Sequence, residues 1–285
     1  MTLANVAEYT KRYLEPLIGA RFLVTAGSVL GREHRRLHRN NQDGVRLHVG
    51  PELIVGCVTD GCSAGRSSEV GARLGASWLV GRVARLWNDG PSGVPASLVE
   101  QLTADLRGYL TGVAGPLVSD EVPLPRTVQE HFLFTFLVAV IDPDRTTVFG
   151  IGDGVVSVNG RVARLTAGPD NAPDYVAYGL LDPAALAPGS SGDAATIHVQ
   201  LPTSELTTLV IGTDGIGPLA DAAAEGSPAS PAPQPADRSL LASLEADQRF
   251  QRNPSLLHKR LVVLGERPGL LPDDATMVLI KRRHP

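Results

Sequence analysis

Three times along the chain an apolar segment with the character of a β-strand ends in aspartate and glycine. These are LIVGCVTDG through Asp60 and Gly61, TTVFGIGDG through Asp153 and Gly154, and TLVIGTDG through Asp214 and Gly215. Other carboxylates stand beside strands of the same kind. Asp273 and Asp274 precede ATMVLI, and Asp43 follows Asn41 and Gln42 just before the strand beginning at Val45. A single Asp-Gly strand exit is ordinary turn chemistry, because both residues tolerate tight turns. The recurrence favours function. Ends of buried strands hold side chains rigidly, and carboxylates gathered at one sheet edge repel one another unless cations bind them. Such oxygen donors suit hard ions such as Mg2+ or Mn2+. A glycine beside the ligand lets its carbonyl approach the ion.

The strands around these motifs come mostly in hairpins. Val45–Val49 and Leu53–Thr59 are joined across Gly50-Pro51, and the second is apolar throughout, as a strand buried on both faces should be. Residues 132–141 and 146–151 turn across Asp142-Pro143-Asp144-Arg145, and 155–158 and 161–165 turn across Asn159-Gly160. Further strands fit 21–28, 195–200, 206–212 and 275–281. Helical spacing predicts helices over 4–17, 65–88 and 96–113, with 239–264 mostly helical; 31–44 and 114–130 read as loops. Hairpin links imply antiparallel pairing. The chain is therefore expected to be α+β, with two buried antiparallel sheets flanked by helices in a four-layer α-β-β-α sandwich. Residues 1–285 are expected to form a single domain, with a helical extension over 1–20 and a mobile Pro/Ala/Ser-rich insertion over 218–238.

Composition removes several alternatives. Lys and Arg number 26 against 30 Asp and Glu, a formal charge of −4, which argues against a general nucleic-acid binder. Apolar runs fall short of the ~18–20 residues of a membrane span, and the N-terminal segment lacks the apolar core of a secretory signal. No membrane partner is expected, and the cytoplasm is the expected compartment. Cys57 and Cys62 are too few for a disulfide framework or a four-cysteine zinc site; Cys57 reads as core and Cys62 stands beside the carboxylates. His34 and His38 have i, i+4 spacing, but in a segment read as loop, where solvent or anion contact fits better than zinc. Phosphate-loop, dinucleotide, zincin and serine-hydrolase motifs are missing from the sequence.

The order and spacing of the motifs resemble the metal-dependent protein phosphatases (PPM), the type 2C serine/threonine class. The likeness runs from about Thr25 to Lys281. It is carried by Asn41-Gln42-Asp43, Val58-Thr59-Asp60-Gly61, Phe134-Thr135, Gly152-Asp153, Thr213-Asp214-Gly215 and Asp273-Asp274-Ala275-Thr276. His34, the Gln42-Asp43 pair and the stretch Asn171–Tyr178 are similar to a bacterial subgroup. The resemblance implies two or three Mn2+ or Mg2+ ions per chain. Asp60 would bridge two ions and Gly61 would lend its carbonyl. Asp214 and Asp273 would hold the first ion, with Asp274 the alternative to Asp273. Asp43 would support the second, and Asp153 would match a further, weaker position. Asp60 and Asp214 are the expected catalytic residues, with in-line attack on phosphoserine or phosphothreonine by a water or hydroxide between the ions. Arg36 or His38 would contact the phosphate.

The resemblance also implies phosphorylated proteins as partners, substrates of a serine/threonine kinase. Gln42 stands where the family often has glutamate, and Cys62 where many members have histidine. Those departures keep open a phosphatase-like module that binds phosphoproteins without turnover. A hydrolase of small phosphoesters is the other alternative.

Overall fold

Each ladder among the described residues is antiparallel. The computed structural model describes residues 17–87, 94–166, 173–182, 195–222 and 239–283. One sheet has the order β1-β10-β9-β6-β7: β1 is Phe22–Val29, β6 Gly154–Val158, β7 Arg161–Leu165, β9 Thr208–Gly212 and β10 Ala275–Arg282. The other has the order β2-β3-β4-β5-β8: β2 is Gly44–Val49, β3 Ile54–Gly61, β4 Phe134–Ile141, β5 Arg145–Ile151 and β8 Thr196–Pro202. The hairpin between β6 and β7 shows the local cause. Asn159 and Gly160 have φ of 52° and 79°, the left-handed pair that a two-residue turn demands and that these residue types tolerate.

The two sheets face each other across Ile54, Val58 and Leu137 on one side and Ile211, Val278 and Ile280 on the other. The outer face of the second sheet is covered by α3 (Glu69–Trp87) and α4 (Ala96–Ala114), whose Leu79, Val83, Leu102 and Leu106 pack with Val55, Cys57, Phe136 and Val138. The outer face of the first is covered by α7 (Leu240–Ala246) and α8 (Leu256–Gly265), through Leu241, Leu244, Leu257 and Leu261 against Leu23, Met277 and Leu279. This is the four-layer α-β-β-α arrangement that the hairpin pattern predicted. Strands buried on both faces are apolar on both faces, as β3 and β4 are. Close approach of α3 to its sheet depends on glycine: a Cβ on Gly75 would stand 2.4 Å from the Phe134 ring.

Several elements differ from the sequence reading. The segment 31–44 contains a short helix, α2 (Arg32–Arg36), after the single turn α1 (Ile18–Arg21). Five residues cannot hold a helix alone. Tertiary contacts supply the missing stability: Leu271 and Pro272 carbonyls accept the Arg32 and Glu33 N–H groups at 3.3 and 2.9 Å. Residues 124–131 form α5 (Leu124–His131) rather than loop; only Thr127 and Val128 are buried on it, too few to print a helical period. The helical stretch after 239 is split into α7 and α8 by a 3-10 turn over Gln248–Gln251. α3 begins at Glu69 rather than 65, and β9 at Thr208 rather than 206. Residues 217–221 form α6 (Gly217–Asp221). The rest of the predicted insertion, 223–238, and all but the end of the predicted N-terminal helix lie outside the described residues.

Candidate active site

Asp60 is the second-last residue of β3. Asp214 follows β9 by two residues, Asp273 precedes β10 by two, and Asp153 occupies the turn between β5 and β6. These positions belong to both sheets, yet the sandwich brings all four to one end. Their side chains line a cavity of about 130 Å3 together with Gly61, Cys62, Ser63, Thr135, Pro173 and Tyr175. Lysine, arginine and histidine are absent from that wall among the described residues. The turn carrying Asp153 needs glycine on either side, with φ of 92° at Gly152 and 142° at Gly154. Gly215 is needed for another reason: a Cβ there would lie 1.8 Å from the Asp274 carbonyl oxygen.

Asp43 stands behind this wall, 3% exposed. The Thr213 hydroxyl donates to its Oδ2 at 3.0 Å, and its own N–H donates to Asn41 Oδ1 at 2.9 Å. Its Oδ1 is buried with no hydrogen-bond partner. Burial pushes the Asp43 carboxyl well above the usual carboxylate range, with the charges of Asp274 and Asp214 adding to the rise and nearby threonine hydroxyls opposing it. Burial also pushes Asp60 up, then the charges of Asp43 and Asp214; Asp60 is within hydrogen-bonding reach of Asp214. Asp153 is pushed up to about 6 by burial and then by Asp214. Asp273 is raised chiefly by burial.

This donor set fits divalent cations. Acid groups that resist ionisation because they are buried together regain it when a cation replaces the proton. The orphaned Asp43 oxygen and a wall with four carboxylates and, among the described residues, no basic side chain match what Mg2+ or Mn2+ requires.

The neighbouring aspartates 273 and 274 are told apart by their surroundings. Asp273 reaches the cavity, with a side chain 50% exposed. Asp274 is 3% exposed and already occupied: Oδ1 accepts Gly31 N–H at 2.7 Å, and Oδ2 accepts Gln42 N–H at 2.6 Å and faces His34 Nδ1 at 2.8 Å. Arg36 pairs with Glu33 at 2.8 Å on the surface, and His38 is exposed with φ of 54°; neither lines the cavity. Their neighbour Arg39 donates to the Ser63 carbonyl on the cavity loop. Gln42 turns its Nε2 to the Gly65 carbonyl at 3.2 Å, on the same loop.

Tyr175 was not among the sequence-derived site residues, although it lies in the stretch that carried part of the resemblance. It lines the cavity together with Cys62 and meets Tyr178 edge-on with centroids 5.2 Å apart. Thr135 lines the wall beside Asp60, its partner across the β3–β4 ladder. Thr213 was also missed as a supporting residue; its place immediately before Asp214 was the available signal.

The family model for protein phosphatase 2C matches residues 30–249, so the chain belongs to that family and is a phosphoprotein phosphatase. No curated protein matches the chain in sequence. Among solved structures, a bacterial serine phosphatase superimposes with a TM-score of 0.54 at 12% identity, covering 92% of this chain and 98% of its own. The serine/threonine phosphatase Stp1 from Staphylococcus aureus gives 0.54 at 12%, covering 92% and 95%. The catalytic domain of the serine/threonine protein phosphatase PstP, in complex with two manganese ions, gives 0.50 at 17%, covering 91% and 97%. At these identities the likeness is one of fold. No helix of the described residues is long and apolar enough to cross a membrane.

Proposed function

We propose that this chain is a Mn2+- or Mg2+-dependent protein serine/threonine phosphatase, acting through one domain on phosphoserine and phosphothreonine in proteins. The observation that carries the reading is the cavity wall: aspartates from both sheets converge on a space with no basic side chain among the described residues. A phosphate dianion entering such a wall meets only like charge, so its binding requires cations. Bound there, divalent ions supply charge neutralisation for the phosphoryl oxygens and an acidified water.

In this reading Asp60, Asp214 and Asp273 would hold the first ion, and Asp60, the Gly61 carbonyl and Asp43 would hold the second. Asp153 serves a weaker third position. Asp60 and Asp214 would be the catalytic residues. Thr213 fixes Asp43 through its hydroxyl. Tyr175 and Pro173 complete the lining of the cavity beside the carboxylates. Of the basic segment, Arg39 reaches the cavity loop at the Ser63 carbonyl and would present positive charge to the incoming anion.

The test is hydrolysis of a phosphoserine or phosphothreonine peptide with added Mn2+, beside a small phosphoester. Turnover that needs Mn2+, favours the peptide and is lost in Asp60→Asn is the expected result. Undiminished turnover in Asp60→Asn, or in the presence of a chelator, would overturn it. Peptide binding without turnover would point to a recognition module instead.

A further inference from the structure

Behind the cavity lies a carboxylate with both oxygens engaged. Asp274 takes Gly31 N–H on one oxygen and Gln42 N–H on the other, and the second oxygen also faces His34. Gln42 is followed directly by Asp43, and Asp274 is preceded directly by Asp273. One side chain therefore ties together the two segments that carry Asp43 and Asp273. Asp273 is steadied from the same place: its Oδ1 accepts Asp274 N–H at 2.8 Å and lies 3.7 Å from His34 Nδ1.

His34 sits on α2, whose first N–H groups are held by Leu271 and Pro272, and it is 6% exposed. A carboxylate only accepts, so the imidazole nitrogen facing Asp274 carries the proton. That nitrogen is then no metal ligand, although donor atoms of His34, Asp273 and Asp274 lie within 4.8 Å of one another. The three side chains make a clasp, not a further cation site.

We propose that His34 and Asp274 are a positioning pair, which holds Asp43 and Asp273 at a fixed separation across the metal centre through the buried His34–Asp274 hydrogen bond. The inference rests on the metal-dependent reading above. Hydrogen-bonded groups behind metal ligands typically account for ~10–100-fold in metal affinity.

The experiment is a calorimetric Mn2+ titration of the full chain, with metal-free melting followed in parallel. His34→Leu keeps apolar bulk and loses the donor; it should bind Mn2+ about tenfold more weakly. His34→Asn places an amide N–H near the Nδ1 position and should recover most of the affinity. Equal affinity in His34→Leu and wild type overturns the pair, as does His34→Asn binding as weakly as His34→Leu. If His34→Leu does not fold, Asp274→Asn replaces it. Its amide cannot accept from all three donors, so the same weakening is expected and wild-type affinity overturns the pair. Wild-type protein that takes up no Mn2+ overturns the metal reading and the pair together. Wild-type binding with an unaffected variant overturns the pair alone.

Discussion

The Thr213 hydroxyl donates to Asp43 Oδ2 at 3.0 Å and accepts the Thr276 N–H at 3.1 Å, so one buried side chain joins the two sheets directly beneath the carboxylates. Thr213→Val keeps the shape and removes both contacts. Asp43, whose other oxygen already lacks a partner, would then have no support from this residue. Leaving buried polar groups unpaired costs about 1–3 kcal/mol, and that loss is expected in urea unfolding of the metal-free chain. Phosphatase turnover should fall with it. A variant as stable as wild type would show that the hydrogen bond does not hold the sheets.

Gly215 and Gly108 make a matched pair. A Cβ on Gly215 would meet the Asp274 carbonyl oxygen at 1.8 Å, whereas one on Gly108, in the middle of α4, would meet nothing within 4 Å. Gly215→Ala must therefore push the Asp273–Asp274 segment away from Asp214. A destabilisation of about 1–3 kcal/mol is expected, with loss of Mn2+-dependent turnover. Gly108→Ala should stabilise the chain by about 0.5–1 kcal/mol and leave turnover intact. Denaturant midpoints and activity of both variants check the contrast, and equal effects would sink it.

The elements legible in the sequence were those whose causes are local. Asn159-Gly160 announced its hairpin because the turn depends on those two residues alone. The apolar run of β3 announced burial on both faces, and recurring Asp-Gly exits announced which strand ends mattered. What stayed hidden depends on distant partners. α2 exists because carbonyls at 271 and 272 receive its first N–H groups, so nothing within Arg32–Arg36 could reveal it. The same contact buries His34, which otherwise reads as one more residue of a basic loop. Asp273 and Asp274 are chemically identical neighbours, and only tertiary hydrogen bonds separate the one that lines the cavity from the one that braces it. Tyr175 sits in a stretch without strand or helix period, and its place at the cavity follows from packing alone.

The two cysteines should differ in reactivity. Cys57 is fully buried in β3, and burial pushes its thiol well above the usual range; Cys62 lines the cavity and is partly exposed. Thiolate availability and access govern alkylation. Mass spectrometry after iodoacetamide treatment of the native chain should find Cys62 modified and Cys57 untouched until denaturant is added. Tyr175→Ala removes a phenol that lines the cavity with Cys62 and widens it, so labelling of Cys62 should quicken. Rapid native labelling of Cys57 would contradict the packing of the second sheet against α3.

Stability of the metal-free chain should depend on pH with an unusual sign at this site. Asp43, Asp60 and Asp153 all have carboxyls raised above their unfolded values, chiefly by burial, with Asp153 at about 6. For a raised acid the folded state binds the proton more tightly than the unfolded chain. Its stabilising contribution is fully present below the unfolded value of about 3.9 and is lost as pH rises through the folded value. For Asp153 that window runs from about pH 4 to just above 6. Asp153→Asn cannot ionise, so its melting temperature relative to wild type should climb across this window in chelator. Added Mn2+ should reverse the order near neutral pH, because the cation binds the ionised wild-type carboxylate and the amide is a poorer ligand. A melting difference that stays flat from pH 4 to 7 in chelator would show that Asp153 carries no such penalty.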